Sequence, residues 1–243
     1  MKILNLGCGT KTSDKEGIVN IDWSIYLRLK KNKILAKLVP IVLSGQRLEK
    51  FISVPDNVLV HNLAKGIPFD SNSVDAVFHS HMLEHLDKNI AIEFLLEVKR
   101  VLKAGGIHRI VVPDFEKGCR AYIQHIENCE INSDEAKTHD AFIAALIEQS
   151  VRREAFSTSQ QNAFRRFIEN VVLGDARRRG ETHQWMYDRI NLKTILIDQL
   201  GYKEVQIQEY DTSFIPNWNE YGLDVDVRGI QYKPVSLYLE AIK

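Results

Sequence analysis

The chain opens with Met1-Lys2-Ile3-Leu4-Asn5-Leu6-Gly7-Cys8-Gly9-Thr10. Residues 2–6 read as a buried strand that runs straight into a turn with glycines at positions 7 and 9. Glycine lets a backbone turn sharply and lets a ligand come close to the main chain. A buried strand followed by such a turn is where a doubly wound α/β sheet binds a nucleotide-like cofactor.

The rest of the chain keeps to that pattern. Further strands are expected at 18–22, 57–61 and 74–79. Ala91, Phe94, Leu95, Val98, Val101 and Leu102 recur at helical spacing. Asp87 is placed to cap that helix, and Gly105-Gly106 to end it. A fifth strand follows at 107–112, stopped by Pro113. Residues 115–180 then read as helices with many polar positions and no strand, an insertion within a single domain spanning 1–243. Leu192, Ile195, Leu196 and Leu200 mark another helix, closed by Gly201. Alternating apolar residues at 205–207 and 235–241 give two last strands joined by a long loop rich in Tyr, Trp and Asp. Strands alternating with helices predict a mostly parallel sheet.

Composition narrows the function classes. Of 243 residues, 44% are hydrophobic and 26% charged, which fits a water-soluble globular chain. The 32 basic and 32 acidic residues cancel, so no basic excess points to nucleic acid. Cys8, Cys119 and Cys129 make neither a CxxC pair nor a zinc pattern, and so sparse an odd count fits a reducing cytoplasm. Met1 leads directly into the first strand, so no signal peptide is expected. No apolar run approaches the roughly 18–20 residues of a membrane helix.

The cofactor is narrowed by what surrounds the glycines. A dinucleotide fingerprint reads G-x-G-x-x-G, but position 12 is Thr, which weakens a hydride-transfer reading. Asp22 ends the second strand, where a carboxylate can accept hydrogen bonds from ribose hydroxyls. Asn62, just past the third strand, carries a donor and an acceptor suited to an adenine edge. The fourth strand ends in His79-Ser80-His81-Met82-Leu83-Glu84-His85.

Together the segments LNLGCGT, VNIDWS, HNLAKGIPFDSNSVDAVFHSHMLEHL and EVKRVLKAGGIHRIVVPD resemble class I S-adenosylmethionine-dependent methyltransferases, most of all the methyltransferase type 11 group. The resemblance covers about the first 115 residues well and the last 60 more loosely. It implies a doubly wound, Rossmann-like, seven-stranded sheet with the last strand antiparallel, and S-adenosyl-L-methionine as cofactor. By this resemblance Gly7, Cys8 and Gly9 pass under the methionine part. Asp22, followed by Trp23, holds the ribose, and Asn62 and Leu63 lie beside the adenine. His79 and Ser80 sit where the fourth strand opens onto the cofactor. Three positions depart from the family: Asn5 and Asn62 stand where acids are usual, and Lys11 where a third glycine is usual. Asn5 is still counted in the cofactor set.

Methyl transfer draws much of its acceleration from proximity and orientation. For an oxygen nucleophile a base near neutrality helps, and His is the usual choice. His81 and His183 are the candidate catalytic residues. His183, Trp185 and Tyr187 line an acceptor pocket in one reading. In the other they are a helix entry, with Asp188 capping and Trp185 buried. Asp114 either faces the acceptor or caps the next helix. His81 and His85 are spaced i, i+4, as a metal pair would be. No third ligand is evident, so no metal is expected.

Residues 24–48 carry Arg28, Lys30, Lys31, Lys33, Lys37 and Arg47 without an acid. They read as a helix on the sheet with a solvated basic rim, or as a surface for anionic lipid or an acidic, lipid-linked acceptor. Arginine clusters at 152–153, 165–166 and 177–179 allow an anionic acceptor or simply solvated faces. The leading expectation is a cytoplasmic methyltransferase acting at O or N of a small-molecule or saccharide acceptor. Its alternatives are a silent S-adenosylmethionine-binding partner subunit and a nucleotide-dependent oxidoreductase.

Overall fold

A computed structural model describes residues 1–32, 36, 37, 39, 45–148 and 182–243. Seven strands form one sheet: β1 (Ile3–Leu6), β2 (Ile18–Asp22), β3 (Val58–Val60), β4 (Val74–Ser80), β5 (Leu102–Pro113), β6 (Glu204–Gln208) and β7 (Ser236–Ile242). Their order is β3-β2-β1-β4-β5-β7-β6. Strands β1 to β5 pair in parallel, and β7 runs antiparallel to both of its neighbours. The chain direction across the sheet reverses between β1 and β4. A doubly wound sheet opens a crevice for its ligand at such a point. The expected architecture, with its antiparallel last strand, is the one observed.

Helices α1 (Ile25–Lys31) and α2 (Gln46–Ile52) lie between β2 and β3. Helix α3 (Lys88–Val101) joins β4 to β5. Its buried stripe Ala91, Phe94, Leu95, Val98 and Val101 has the i, i+3, i+4 spacing of one helical face. That stripe packs on Leu4, Leu6, Val77, Ile110 and Leu239 of the sheet, together with Leu192 and Leu196. Full burial of such side chains stabilises by about 1.5–3 kcal/mol each. Leu192 belongs to α7 (Arg189–Thr194), where Asp188 and Asn191 form a reciprocal capping box.

The end of α3 differs from expectation. Leu102 already starts β5, so Gly105 and Gly106 lie inside the strand instead of ending the helix. The β4–β5 register shifts between Val74 and Ala76, opposite this stretch, and Gly105 takes a φ of 75°. The pair of glycines thus makes a bulge, a reading that helix-stop rules do not contain. The insertion after β5 is helical as expected as far as it is described: α4 (Phe115–Ile131), α5 (Ser133–Ala136) and α6 (His139–Glu148). Its remainder, with the arginine clusters, lies outside the described residues. So does most of 33–44.

Parallel neighbours are usually joined through a helix. Residues 7–17, between β1 and β2, contain none. The sheet face left open there is covered from the far end of the chain. Ile215, Trp218 and Leu223, in the β6–β7 connection, pack on Ile3, Ala76, Phe78 and Val111. Arg109 of β5, fully buried, ties that connection down. Its Nε donates to Asp224 at 2.7 Å and its Nη1 to Glu240 at 2.9 Å. It also donates to the carbonyls of Thr212 and Glu209.

Candidate functional site

The cleft lies at the carboxyl ends of β1 and β4. It has a volume of about 220 Å³. Its floor is the loop from Gly7 to Lys11 with Asn5, and one wall is Phe78, Ser80 and His81 of β4 and its end. Tyr232 and Lys233 close it from above. The amides of Gly7 and Cys8 donate to the Ile21 carbonyl, which pins the loop to β2. Gly7 has φ 63° and Gly9 φ 53°, the left-handed region that favours glycine. A Cβ on Gly7 would stand 2.6 Å from the Met82 sulfur, whereas one on Gly9 would meet nothing within 4 Å.

The sequence candidates divide on inspection. Asp22 accepts from the Gly9 amide at 2.9 Å and the Ser24 amide at 2.7 Å, so it braces the loop from the β2 end. Ser80, Gly7, Cys8 and Gly9 line the cleft. Cys8 turns its thiol away into a small core with Leu27, Val54 and Val58. Burial, helped by Asp22, pushes that thiol up to about 12, so it is inert. Asn5 lines the cleft, but its amide donates to the Lys11 carbonyl and to Asn20, both at 2.9 Å. It shapes the loop and does not offer that amide to a ligand. Trp23 is half exposed with Arg28 over its ring at 4.7 Å. Asn62 caps a short turn through the Ala64 amide, and Leu63 packs against the main core. Trp23, Asn62 and Leu63, like Asp22 itself, lie outside the lining of the cleft.

Two candidates are corrected, and a third takes the capping one of its two readings. His79 does not face the cleft. Its ring is fully buried on the opposite sheet face, 2.9 Å from His108 and edge-on to Phe94. Strand alternation explains this, since Phe78 and Ser80 take the cleft side. Tyr187 is buried in the main core, not in an acceptor pocket. Asp114 is the cap of α4, accepting from the Lys117 amide at 3.2 Å, and its backbone bridges to Tyr187. Trp185 remains accessible, with Lys88 over its ring at 4.6 Å.

His81 stands at the cleft edge. Its φ of 49° and that of Val235, 58°, put two non-glycine residues in the left-handed region. Such conformations cost on the order of 1–3 kcal/mol and persist where the surroundings impose them. Here they bring the His81 Nε2 to 2.8 Å from the Ser236 hydroxyl. Its Nδ1 is 3.5 Å from Glu84 Oε1. Burial first, then nearby Lys233, pushes His81 down to about 3. Glu84 is wholly buried, and burial pushes it up to about 8. Its backbone carbonyl accepts from the Gln184 amide at 2.7 Å and the Trp185 amide at 3.3 Å. This tether brings His183 against His85, ring centroids 4.9 Å apart.

Sequence reasoning missed Thr10, Tyr232 and Lys233 as cleft residues and read Lys11 only as a departure. Lys11 Nζ donates to the Val225 carbonyl at 2.6 Å and lies 4.4 Å from the centre of the Tyr232 ring. It thus joins the β1 loop to the β6–β7 connection. The polar, aromatic loop was visible in the sequence, but nothing local told where it would land.

Residues 28–110 match the family model described as a methyltransferase domain, a span that begins after the glycine loop and Asp22. No curated protein matches the chain in sequence. Solved structures similar to the chain include a SAM-dependent methyltransferase from Archaeoglobus fulgidus, 17% identical, with 100% of this chain and 86% of that one covered and a TM-score of 0.44. Another, from Methanosarcina mazei, is 16% identical over 100% and 92%, with a TM-score of 0.41. A third, from Aquifex aeolicus, is 13% identical over 100% and 81%, with a TM-score of 0.39. The strand order is that of a doubly wound, Rossmann-like sheet, and residues 28–110 within it carry the match to the methyltransferase domain.

Proposed function

We propose that this protein transfers a methyl group from S-adenosylmethionine to an oxygen or nitrogen of a small-molecule or saccharide acceptor. The observation that carries the reading is the cleft at the β1/β4 reversal, floored by the Gly7–Cys8–Gly9 loop with Asp22 bracing it. When bound, the cofactor supplies an electrophilic methyl carbon. The chain's contribution is to hold and orient. The glycine loop presents its backbone, Asp22 has carboxylate lone pairs for ribose hydroxyls, and Lys11 and Lys233 offer cations to a carboxylate. His81, desolvated and neutral, serves as a hydrogen-bonding group at the acceptor side, and His183 with Trp185 forms the outer wall. Asn62 and Leu63 make the adenine shelf. An anionic acceptor suits the two lysines. The three free cysteines agree with a reducing cytoplasm. Among the described residues no helix is long and apolar enough to cross a membrane.

Calorimetric titration with S-adenosylhomocysteine tests this. Binding is expected, and Asp22→Ala should weaken it by about 1.5–3 kcal/mol, the scale of hydrogen bonds to a charged group. NAD binding in its place would overturn the reading in favour of an oxidoreductase. Binding with no turnover across alcohols, amines and sugars would favour a silent partner subunit.

A further inference from the structure

We propose that Glu84, His85 and His183 form a binding site for one divalent transition cation of the zinc class, beside the cofactor cleft. The three offer one ligand atom each, and those atoms lie within 4.8 Å of one another. A cation about 2.0–2.2 Å from oxygen and nitrogen ligands needs them somewhat closer, a shift within reach of side-chain rotation.

Three observations point the same way. Both carboxylate oxygens of Glu84 are buried and make no hydrogen bond among the described residues. Buried polar atoms are almost always partnered, so an orphaned carboxyl facing imidazoles marks a missing partner, which a divalent cation would supply. Next, the His85 Nδ1 lies 3.3 Å from the Thr182 carbonyl. A carbonyl only accepts, so Nδ1 carries the proton and Nε2 presents its lone pair, 3.8 Å from Glu84 Oε1. Metal-binding histidines are held in this way, with the far nitrogen donating to a backbone carbonyl. Last, the site is assembled by backbone hydrogen bonds from Gln184 and Trp185 to the Glu84 carbonyl, far apart along the chain. This third ligand is what the His81/His85 spacing lacked.

Two imidazoles and one carboxylate suit zinc, cobalt or manganese better than magnesium or calcium, which prefer oxygen. Three protein ligands leave a position open, as catalytic sites do. His81 lines the cleft and its Nδ1 lies 3.5 Å from Glu84 Oε1, so the site adjoins the cleft. Resting on the methyltransferase reading, the open position would take the acceptor oxygen and favour its ionised form.

Metal binding is measurable without any turnover. Chelator-treated protein carrying Cys129→Ala, which disables the separate His125–Cys129–His139 cluster, is titrated with Zn²⁺, Co²⁺ and Mg²⁺. One equivalent of Zn²⁺ and of Co²⁺ should bind, Mg²⁺ far more weakly, and the cobalt spectrum should lack a thiolate band. His183→Ala and Glu84→Gln should each weaken Zn²⁺ by more than about 100-fold, beyond what outer partners typically cost. Thermal melts confirm folding, and partly exposed His183 serves where Glu84→Gln fails to fold. Absence of stoichiometric zinc, or affinity unchanged in His183→Ala, overturns the site. Zinc binding without methyl transfer leaves the site standing and removes only its link to the acceptor.

Discussion

Gly7 and Gly9 differ in why they are glycine, although the sequence presents them as a pair. Both take positive φ. Gly9 faces open space, while Gly7 faces the Met82 side chain. An alanine at position 9 should therefore cost only the left-handed penalty, about 1–2 kcal/mol. At position 7 the same penalty is joined by overpacking, typically a further 1–3 kcal/mol. Urea unfolding of Gly7→Ala and Gly9→Ala measures the difference, and Met82→Ala should recover part of the loss at position 7 alone. Equal losses, with no recovery, would remove Met82 from the account. Residue identity was legible here because glycine and aspartate at strand ends have few physical uses. The direction of a side chain was less so. His79 and His81 stand two apart, yet one fills the core behind the sheet and the other the cleft edge. The left-handed turn at His81 breaks the strand alternation, and no pattern rule announces it.

Among the elements, the β6–β7 connection does what the absent β1–β2 helix would do. It covers the sheet face and reaches the cleft through Val225, Tyr232 and Lys233. Its anchor is the buried set Arg109, Asp224 and Glu240, with Trp218 Nε1 donating to Asp224 at 2.8 Å. Breaking a buried ion pair from one side costs about 3–5 kcal/mol, because the partner charges stay buried alone. Arg109→Met should lose that much in denaturant unfolding and weaken S-adenosylhomocysteine binding as the roof loosens. Adding Asp224→Asn and Glu240→Gln should restore much of the stability. Equal stability of the single and triple variants would show that the charges are not what holds the connection. The strands and α3 were readable from local periodicity, which reports burial on one face or two. The connection was not, since its partner strand lies about 100 residues earlier and its charges pair only in three dimensions.

The molecule as a whole buries neutral imidazoles, and this sets how it responds to acid. His79 and His108 are wholly buried, 2.9 Å apart, and His108 Nδ1 lies 3.1 Å from the Tyr202 hydroxyl. Phe94 packs on His79, and Lys99 lies 5.4 Å from the centre of the Tyr202 ring. No carboxylate pairs with either imidazole among the described residues. Burial holds His79 down at about 3, and burial with His79 beside it holds His108 well below its ordinary value of 6.5. Below pH 6.5 the unfolded chain takes up protons that the folded chain refuses. Stability from these two groups is therefore complete above 6.5 and is lost as pH falls towards their folded values, by up to about 1.4 kcal/mol per pH unit for each. The part of the unfolding free energy due to this pair should be flat from pH 8 to 7 and decline from 6.5 to 5. His81 and His85, also held low by burial, add to that decline. Glu84, held up at about 8, opposes it and lowers stability as pH rises towards 8. The variant His79→Leu with His108→Leu removes both groups and should visibly shallow that decline, at whatever cost in absolute stability. A decline of unchanged slope would mean that the pair is not buried neutral, and that the acid response of this fold arises elsewhere.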